Sequence, residues 1–206
     1  MSSRVVATST KRLLKAASVE PDRLRRHLLV AAALRELLPN EPVVVGGTAE
    51  EYWAPADYQE TDLDMCVALS PKAKSDLKKA GFEPLGRHWM RDDIAVAVEF
   101  PESNIDGEWA RTVLERVDGG AARIIGVEDL YLDRVRQATV QENNEGIEFK
   151  SALAVAAAQF EQIDWGYVEG RILAEERSQK LVGESMRRID SKVRGRVRLT
   201  AEIDDG

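Results

Sequence analysis

The spacing of hydrophobic positions changes once along the chain, near residue 125. Before that point, short apolar runs bounded by Gly, Pro and Asp predict strands that alternate with helices. Beyond it, a period close to 3.6 residues predicts helices only. We therefore expect an α/β (α+β) domain with N-terminal helices over residues 1–125, a helical domain over 126–182, and a polar basic tail over 183–206.

The predicted elements follow from this periodicity and from the local start and stop signals. Pro21 suits the first turn of a helix, and Ser70-Pro71 is typical of an N-cap followed by the first helical position. Loops are expected at 56–60 and 143–146. The predicted helices cover 10–17, 21–38, 48–53, 71–80, 127–142, 148–162 and 164–180, and the predicted strands cover 43–45, 62–69, 87–91, 94–100 and 122–125.

Composition narrows the class of protein. The chain has 206 residues, a formal net charge of −7 and a single cysteine, which excludes a disulfide framework and a multi-cysteine zinc site. No apolar run approaches the roughly 20 residues of a membrane span, and the N-terminus has no apolar signal region. These features predict a cytoplasmic protein without a membrane partner. Cys66 and His27 are expected to be structural.

The C-terminal stretch departs from the acidic average. Lys192, Arg194, Arg196 and Arg198 alternate with mostly apolar residues. This pattern fits either a strand with a basic face or a disordered basic arm. The arm is either a solvated tail or a contact for the phosphates of an RNA.

The stretch that carries chemistry runs from residue 43 to residue 67. The apolar strand at 43–45 ends in Gly46-Gly47, and Asp62 and Asp64 stand on the next predicted strand. Side chains at positions i and i+2 project from one face of a strand, roughly 6.6 Å apart at their Cα atoms. Two carboxylates this close repel unless a cation lies between them, and Mg²⁺ accepts carboxylate and phosphate oxygens. The glycines let a backbone approach a phosphate closely.

A third carboxylate is available on the strand at 94–100. Glu99 shares a face with small residues, whereas Ile94, Val96 and Val98 are expected to face a core. An Asp-x-Asp pair or a Gly-Gly turn alone is more typical of a solvated strand end or a plain turn. Together, at this spacing on neighbouring strands, they favour a metal-dependent phosphoryl-transfer site of Asp62, Asp64 and Glu99.

Known alternatives for phosphate or acyl chemistry are absent from the sequence. There is no P-loop, no G-x-S-x-G elbow and no G-x-G-x-x-G. The arrangement instead resembles the nucleotidyltransferase fold of the DNA polymerase β-like superfamily, in which an apolar strand and Gly-Gly or Gly-Ser precede Asp-x-Asp and a distant third acid. The stretch from Gly126 to Arg134 resembles a helix of small bacterial nucleotidyltransferases, including AbiEii-like and MenT-like toxins.

The resemblance implies a role for each residue. Asp62, Asp64 and Glu99 would bind Mg²⁺ or Mn²⁺, with Glu99 also a candidate general base. Gly46, Gly47 and Thr48 would hold the phosphates of an NTP, and Arg134 would neutralise their charge. Glu148 stands near the position of a later family acid, with its role left open.

The function implied is transfer of a nucleoside monophosphate from an NTP to a hydroxyl of RNA or protein, in a toxin-antitoxin-type component. A second reading keeps the chemistry but places it on a small antibiotic-like acceptor. A third is a catalytically silent antitoxin or regulatory binding protein that uses the fold as an interaction surface. The cognate partner would then be a toxin or an antitoxin.

Overall fold

A computed structural model describes residues 6–54, 62–140 and 146–204, so the predicted loop at 56–60 and most of that at 143–146 lie outside the described residues. The elements are α1 (Thr8–Ala17), α2 (Arg23–Leu37), β1 (Val43–Val44), α3 (Gly46–Trp53), β2 (Asp62–Cys66), α4 (Pro71–Lys79), β3 (Glu83–Leu85), β4 (His88–Arg91), β5 (Ile94–Glu99), a 3₁₀ turn (Trp109–Arg111), β6 (Val113–Val117), β7 (Gly120–Ile124), α5 (Val127–Ala138), α6 (Ile147–Gln159), α7 (Trp165–Ser178) and α8 (Lys180–Asp204).

These residues fall into two compact units. The first comprises the chain up to Tyr52 and from Asp62 to Ile125, and the second comprises Gly126 onward with Trp53 and Ala54. The fold class is α/β, as the sequence predicts. Among the described residues, no helix has both the length and the apolar character that crossing a membrane requires.

A mixed sheet forms the centre of the first unit. Its seven strands in the described residues follow the order β3-β4-β5-β2-β1-β7-β6. β2 is parallel to β5 and β1 is parallel to β7, while the other neighbours are antiparallel. β2 and β5 are therefore interior strands, each with a hydrogen-bonded neighbour on both sides. This pairing fixes the positions of the acidic side chains.

Two strands escaped prediction, and both lie at sheet edges. All three residues of β3 are exposed, and β6 has only one buried residue, Val117. An edge strand with little burial has no apolar face to leave a period-two signal. The strands that the sequence did predict are all present, although β2 ends at Cys66, three residues earlier than predicted.

Helix α2 is buried because it is covered on both sides. The run from Leu29 to Leu34 has no exposed surface, and the helix packs between α1 and strand β7. A Cβ at Gly120 would come within 2.8 Å of Leu13 and 3.2 Å of Ala32, so this glycine permits the close approach of both helices to β7. The helix begins later than predicted, because Asp22 caps it by accepting a 2.7 Å hydrogen bond from the Arg25 backbone N–H.

Helix α8 corrects the interpretation of the C-terminal stretch as a strand or a disordered arm. The residues predicted as a polar basic tail, 183–206, are helical as far as Asp204. Met186, Ile189 and Val193 are buried at spacings of three and four, which is the helical period. A Cβ at Gly183 would overlap the backbone of Glu176, so this glycine lets the start of α8 lie directly against the end of α7. The alternation of basic and apolar residues near the C-terminus resembles a strand pattern, and it concealed the helical period of the buried residues.

A buried polar network fixes α8 within the helical unit. The Tyr131 hydroxyl donates a 2.9 Å hydrogen bond to Asp190, and Arg194 donates a 2.7 Å bond to the same carboxylate. Burial raises the pKa of Asp190 above its usual value, while the charge of Arg194 opposes that shift. Arg194 also lies over the Trp165 ring, 5.2 Å from its centroid. One of the basic residues of the predicted tail is thus a structural contact.

We predict that Ile189→Ala lowers the free energy of unfolding by about 2–5 kcal/mol, because it leaves a cavity beneath α8. Leu181→Ala, in the same helix but 78% exposed, is the matched control and should change it by less than about 0.5 kcal/mol. Urea denaturation of both variants measures the difference. Equal, small effects would show that α8 does not pack on the other helices.

Candidate active site

The two aspartates of β2 lie on the partly exposed face of that strand. Asp62 and Asp64 are half-buried, while the alternating residues Leu63 and Met65 have no exposed surface. Residues two apart in a strand share a face, so both carboxylates project to the same side. The predicted parity of this strand is confirmed.

Glu99 lies beside them on β5. The parallel register pairs Asp64 with Glu99 and Asp62 with Ala97. Partners directly opposite in a sheet point the same way, so Glu99 shares the face of both aspartates. Its side chain is 15% exposed, whereas Val96 and Val98 are buried on the reverse face. The predicted adjacency of the three acids is confirmed, and their role as ligands stays a prediction.

His88 and Arg87 join this group, and neither was expected from the sequence. His88 lies opposite Glu99 on β4, and its Nε2 is 3.3 Å from Asp62 Oδ2 and 3.4 Å from Glu99 Oε2. Arg87 Nε lies 3.1 Å from Glu99 Oε2. The sequence pattern of a hairpin at residues 87–100 is enough to place His88 on the same face of the sheet as Glu99, because side chains alternate between faces along each strand. A bulge between Met90 and Arg91 then shifts the register and brings it opposite Glu99.

The backbone at position 46, in the predicted phosphate-binding turn, accepts only glycine without strain. Its φ is +60°, a conformation that favours glycine, and a Cβ there would overlap the Asp64 carboxylate. The backbone N–H of Val45 donates a 3.0 Å hydrogen bond to the Asp64 carbonyl, which holds the turn against β2. Helix α3 starts at Gly46, and Gly47 is buried in its first turn.

Thr48 has a structural contact rather than an open hydroxyl. Its side chain is fully buried, and its Oγ1 donates a 3.3 Å hydrogen bond to the Asp62 carbonyl. His27 Nδ1 lies 2.9 Å from the same Oγ1. Since the hydroxyl proton is used towards Asp62, we assign the Nδ1 proton to His27 as the second donor. Any contact of Thr48 with a phosphate therefore falls to its backbone N–H.

His27 is buried in α2 and keeps a neutral ring. Burial is the largest cause that lowers its pKa to about 4, and the nearby charges of Arg23 and Arg26 contribute to the same shift. The expectation of a structural role for His27 agrees with this position, which ties α2 to the start of α3.

Arg134 lies in the helical unit, where its side chain is 10% exposed. It pairs with Glu148 at 3.3 Å and with Asp133 at 3.8 Å, and it donates a 3.2 Å hydrogen bond to Gln137. The two residues assigned by resemblance, Arg134 and Glu148, thus contact each other. Their role towards a nucleotide stays a prediction.

The donor set fits a divalent cation. Asp62, His88 and Glu99 each offer one ligand atom, and the three atoms lie within 4.8 Å of one another. Carboxylate oxygens suit Mg²⁺ and Mn²⁺, and an imidazole nitrogen suits transition-metal ions. Asp64 lies outside this close group but on the same face, next to the Gly46 turn.

Solved structures resemble this fold. The crystal structure of an antigenic nucleotidyltransferase-like protein from Paracoccidioides brasiliensis is similar over 82% of this chain and 94% of its own, with a TM-score of 0.54 and 11% sequence identity. The solution structure of the antibiotic-resistance factor ANT(2'')-Ia matches 88% of this chain and 95% of its own at 14% identity, with a TM-score of 0.41. No protein-family model matches the sequence, and no curated protein matches it.

The chain therefore has the nucleotidyltransferase fold, as its sequence motifs predicted. The acidic residues of the site occupy adjacent strands of that fold's sheet. The narrower resemblance to AbiEii-like and MenT-like toxins is not supported by these structures and remains a hypothesis.

We predict that Gly46→Ala displaces the Asp64 carboxylate. Gly86 is a matched control, because its φ is +62° and a Cβ there would meet nothing within 4 Å. Both variants incur the left-handed backbone cost of about 1–2 kcal/mol. Only Gly46→Ala should lower the free energy of unfolding by a further 1 kcal/mol or more, at about the scale of overpacking, and it should weaken the binding of Mn²⁺ at the site. Urea denaturation and calorimetric titration measure these effects, and equal results for the two variants would contradict the assignment.

We also predict a pH dependence of stability from His27. In the unfolded chain His27 is protonated below about pH 6.5, whereas in the folded protein it is protonated only below about pH 4. The contribution of neutral His27 to stability is therefore fully present above pH 6.5 and is lost as the pH falls from 6.5 to about 4. The loss reaches about 3 kcal/mol at 1.36 kcal/mol per pKa unit.

His27→Asn keeps a polar atom near the Nδ1 position without titrating. We therefore measure the unfolding free energy of the wild type and of this variant from pH 4 to 8. The difference between the two should change with pH, because only the wild type loses the His27 contribution as the pH falls. A pH-independent difference would show that His27 is not buried as a neutral ring.

Proposed function

We propose that the protein is a metal-dependent nucleotidyltransferase that moves a nucleoside monophosphate from an NTP to a hydroxyl group and releases pyrophosphate. One observation carries the proposal. Asp62, Asp64 and Glu99 share one face of adjacent parallel strands, beside a glycine turn that opens a helix, in a chain with the nucleotidyltransferase fold. Such a group of carboxylates has no packing role on a half-exposed face and suits phosphoryl transfer.

In this proposal Asp62 and Asp64 hold divalent cations, Mg²⁺ or Mn²⁺, and Glu99 completes the ligand set on the acceptor side. Bound ions would stabilise the negative charge that develops during phosphoryl displacement. Glu99, which the strand register pairs with Asp64, would accept the proton of the attacking hydroxyl. The three acids thereby bring the acceptor hydroxyl and the α-phosphate into line.

The triphosphate is bound by backbone rather than by side chains. The first N–H groups of a helix have no partner within the helix, and those of Gly46, Gly47 and Thr48 are the donors that we propose for phosphate oxygens. Thr48 contributes through its N–H while its hydroxyl holds β2. The role in neutralising phosphate charge that the resemblance implies for Arg134, which pairs with Glu148, stays a separate prediction.

The proposed acceptor is a hydroxyl of RNA or of a protein, and a toxin-antitoxin-type role fits either. Helix α8 changes the argument for RNA, because Arg194 and Arg196 are engaged with aromatic rings. Arg188, Lys192, Arg196 and Arg198 nevertheless keep exposed surface on this helix. The acceptor is therefore best identified by experiment, with each labelled NTP, Mg²⁺ or Mn²⁺ and cell lysate, and with RNA and protein fractions counted separately.

We predict that Asp64→Asn abolishes transfer and metal-dependent NTP binding while leaving the fold intact. The amide removes the charge that holds the cation but keeps the shape beside Gly46. Asp92→Asn, an exposed carboxylate in the turn between β4 and β5, is the matched control and should bind NTP normally. Calorimetric titration with Mg²⁺ and a non-hydrolysable NTP measures binding, and thermal denaturation checks the fold.

The opposite pattern supports a catalytically silent antitoxin or regulator. A wild type that binds no NTP at millimolar Mg²⁺, with Asp64→Asn indistinguishable from it, would contradict the enzyme proposal.

A further inference from the structure

The row of side chains that crosses the sheet at the site contains an imidazole nitrogen. His88 on β4, Glu99 on β5 and Asp64 on β2 are successive register partners, and Asp62 lies two residues before Asp64 on the same face. Three adjacent strands therefore fix the imidazole among the carboxylates. Its Nε2 is placed by strand pairing, not by a mobile loop.

The distances around His88 Nε2 are those of ligands that share one ion. Nε2 lies 3.3 Å from Asp62 Oδ2 and 3.4 Å from Glu99 Oε2. Ligand atoms at about 2.1 Å from a metal are about 3.0 Å apart in an octahedral site and about 3.4 Å apart in a tetrahedral one. The observed pairs lie within or close to this range, so little movement separates this arrangement from a coordinated one.

A cationic side chain already lies against the same two ligand residues. Arg87 Nε donates a 3.3 Å hydrogen bond to His88 Nε2 and lies 3.1 Å from Glu99 Oε2. A nitrogen that accepts this bond presents its lone pair, as a metal ligand must. The Arg87 side chain is 71% exposed, and ion pairs with such exposed partners add little to stability. A metal ion can therefore displace it readily.

The nitrogen decides which ion the site prefers. Mg²⁺ favours oxygen ligands and retains its water, whereas imidazole nitrogen suits transition-metal ions, whose affinity rises along the series from Mn²⁺. We propose that Asp62, His88 and Glu99 form a mixed nitrogen–oxygen site that binds a divalent transition-metal ion in preference to Mg²⁺, with His88 Nε2 as a direct ligand. This refines the site on which the proposed function rests, by naming its fourth side chain and its class of ion.

Spectroscopy on the wild-type protein tests the ligand directly. The chelator-treated protein is loaded with Mn²⁺ in the absence of nucleotide and examined by pulsed electron paramagnetic resonance. We expect the ¹⁴N coupling of a directly bound imidazole. Its absence would overturn the proposal, because no folding defect intervenes in the wild type.

Two variants assign the nitrogen. His88→Gln should remove the ¹⁴N coupling and weaken Mn²⁺ binding at least about tenfold, the lower limit for loss of even an outer-shell partner, while Mg²⁺ affinity changes about twofold or less. Arg87→Gln removes the neighbouring cation and should retain the coupling. The chain has only one other histidine, His27, so coupling that survives His88→Gln would place the metal elsewhere and refute the assignment.

The preference of the site for one metal ion over another is the second measurement that tests the proposal. Calorimetric titration of the wild type should give Mn²⁺ and Zn²⁺ affinities at least tenfold above that of Mg²⁺, and His88→Gln should remove most of that difference. Equal affinities in the wild type would contradict the proposal. These measurements need no NTP, so they can fail while nucleotidyl transfer with Mg²⁺ is observed, and they can succeed while transfer is absent.

Discussion

The parallel pairing of β2 with β5 is the constraint on which the site depends. It sets Asp64 opposite Glu99 and brings Asp62 to the same face, so three negative charges meet on interior strands. Like charges opposite one another in a sheet destabilise it. Here the cost is offset by the cationic and polar groups around them, namely His88 and Arg87 on the β4 side.

The surroundings of the acids are fixed by close packing. Gly46 leaves room for the Asp64 carboxylate, and the Val45 N–H holds the same turn to β2 through the backbone. Behind it, the hydrogen bonds from His27 to Thr48 and from Thr48 to the Asp62 carbonyl connect α2, α3 and β2. The glycine turn and the carboxylates are therefore held in one frame by buried bonds, which is the preorganisation that phosphoryl transfer needs.

Much of this arrangement could be predicted from the sequence, since it depends on parity and on signals between neighbouring residues. The faces of Asp62, Asp64 and Glu99 follow from alternation along two strands, and the fold was predicted from the resemblance of the Gly-Gly turn and the acids to the motifs of a known superfamily. His88 could be placed on the right face but not opposite Glu99, because that position depends on a bulge after Met90.

Other features depend on contacts that are distant in sequence. The exposed edge strand β3 carries no apolar pattern. Helix α8 was concealed by a local alternation of basic residues, and its true period appears only when Met186, Ile189 and Val193 are seen packed together. The inward contact of the Thr48 hydroxyl could not be predicted, because its partner His27 lies on a helix 21 residues earlier in the sequence.

The most direct test of the central claim is residue-resolved. The amide signals of ¹⁵N-labelled protein are followed during titration with an NTP, with and without Mg²⁺ or Mn²⁺. If the acids and the glycine turn form one cation-dependent nucleotide site, the largest changes should appear at Gly46–Thr48 and Asp62–Asp64, and only when the divalent cation is present. Changes that need no cation, or that centre on other residues, would contradict the account.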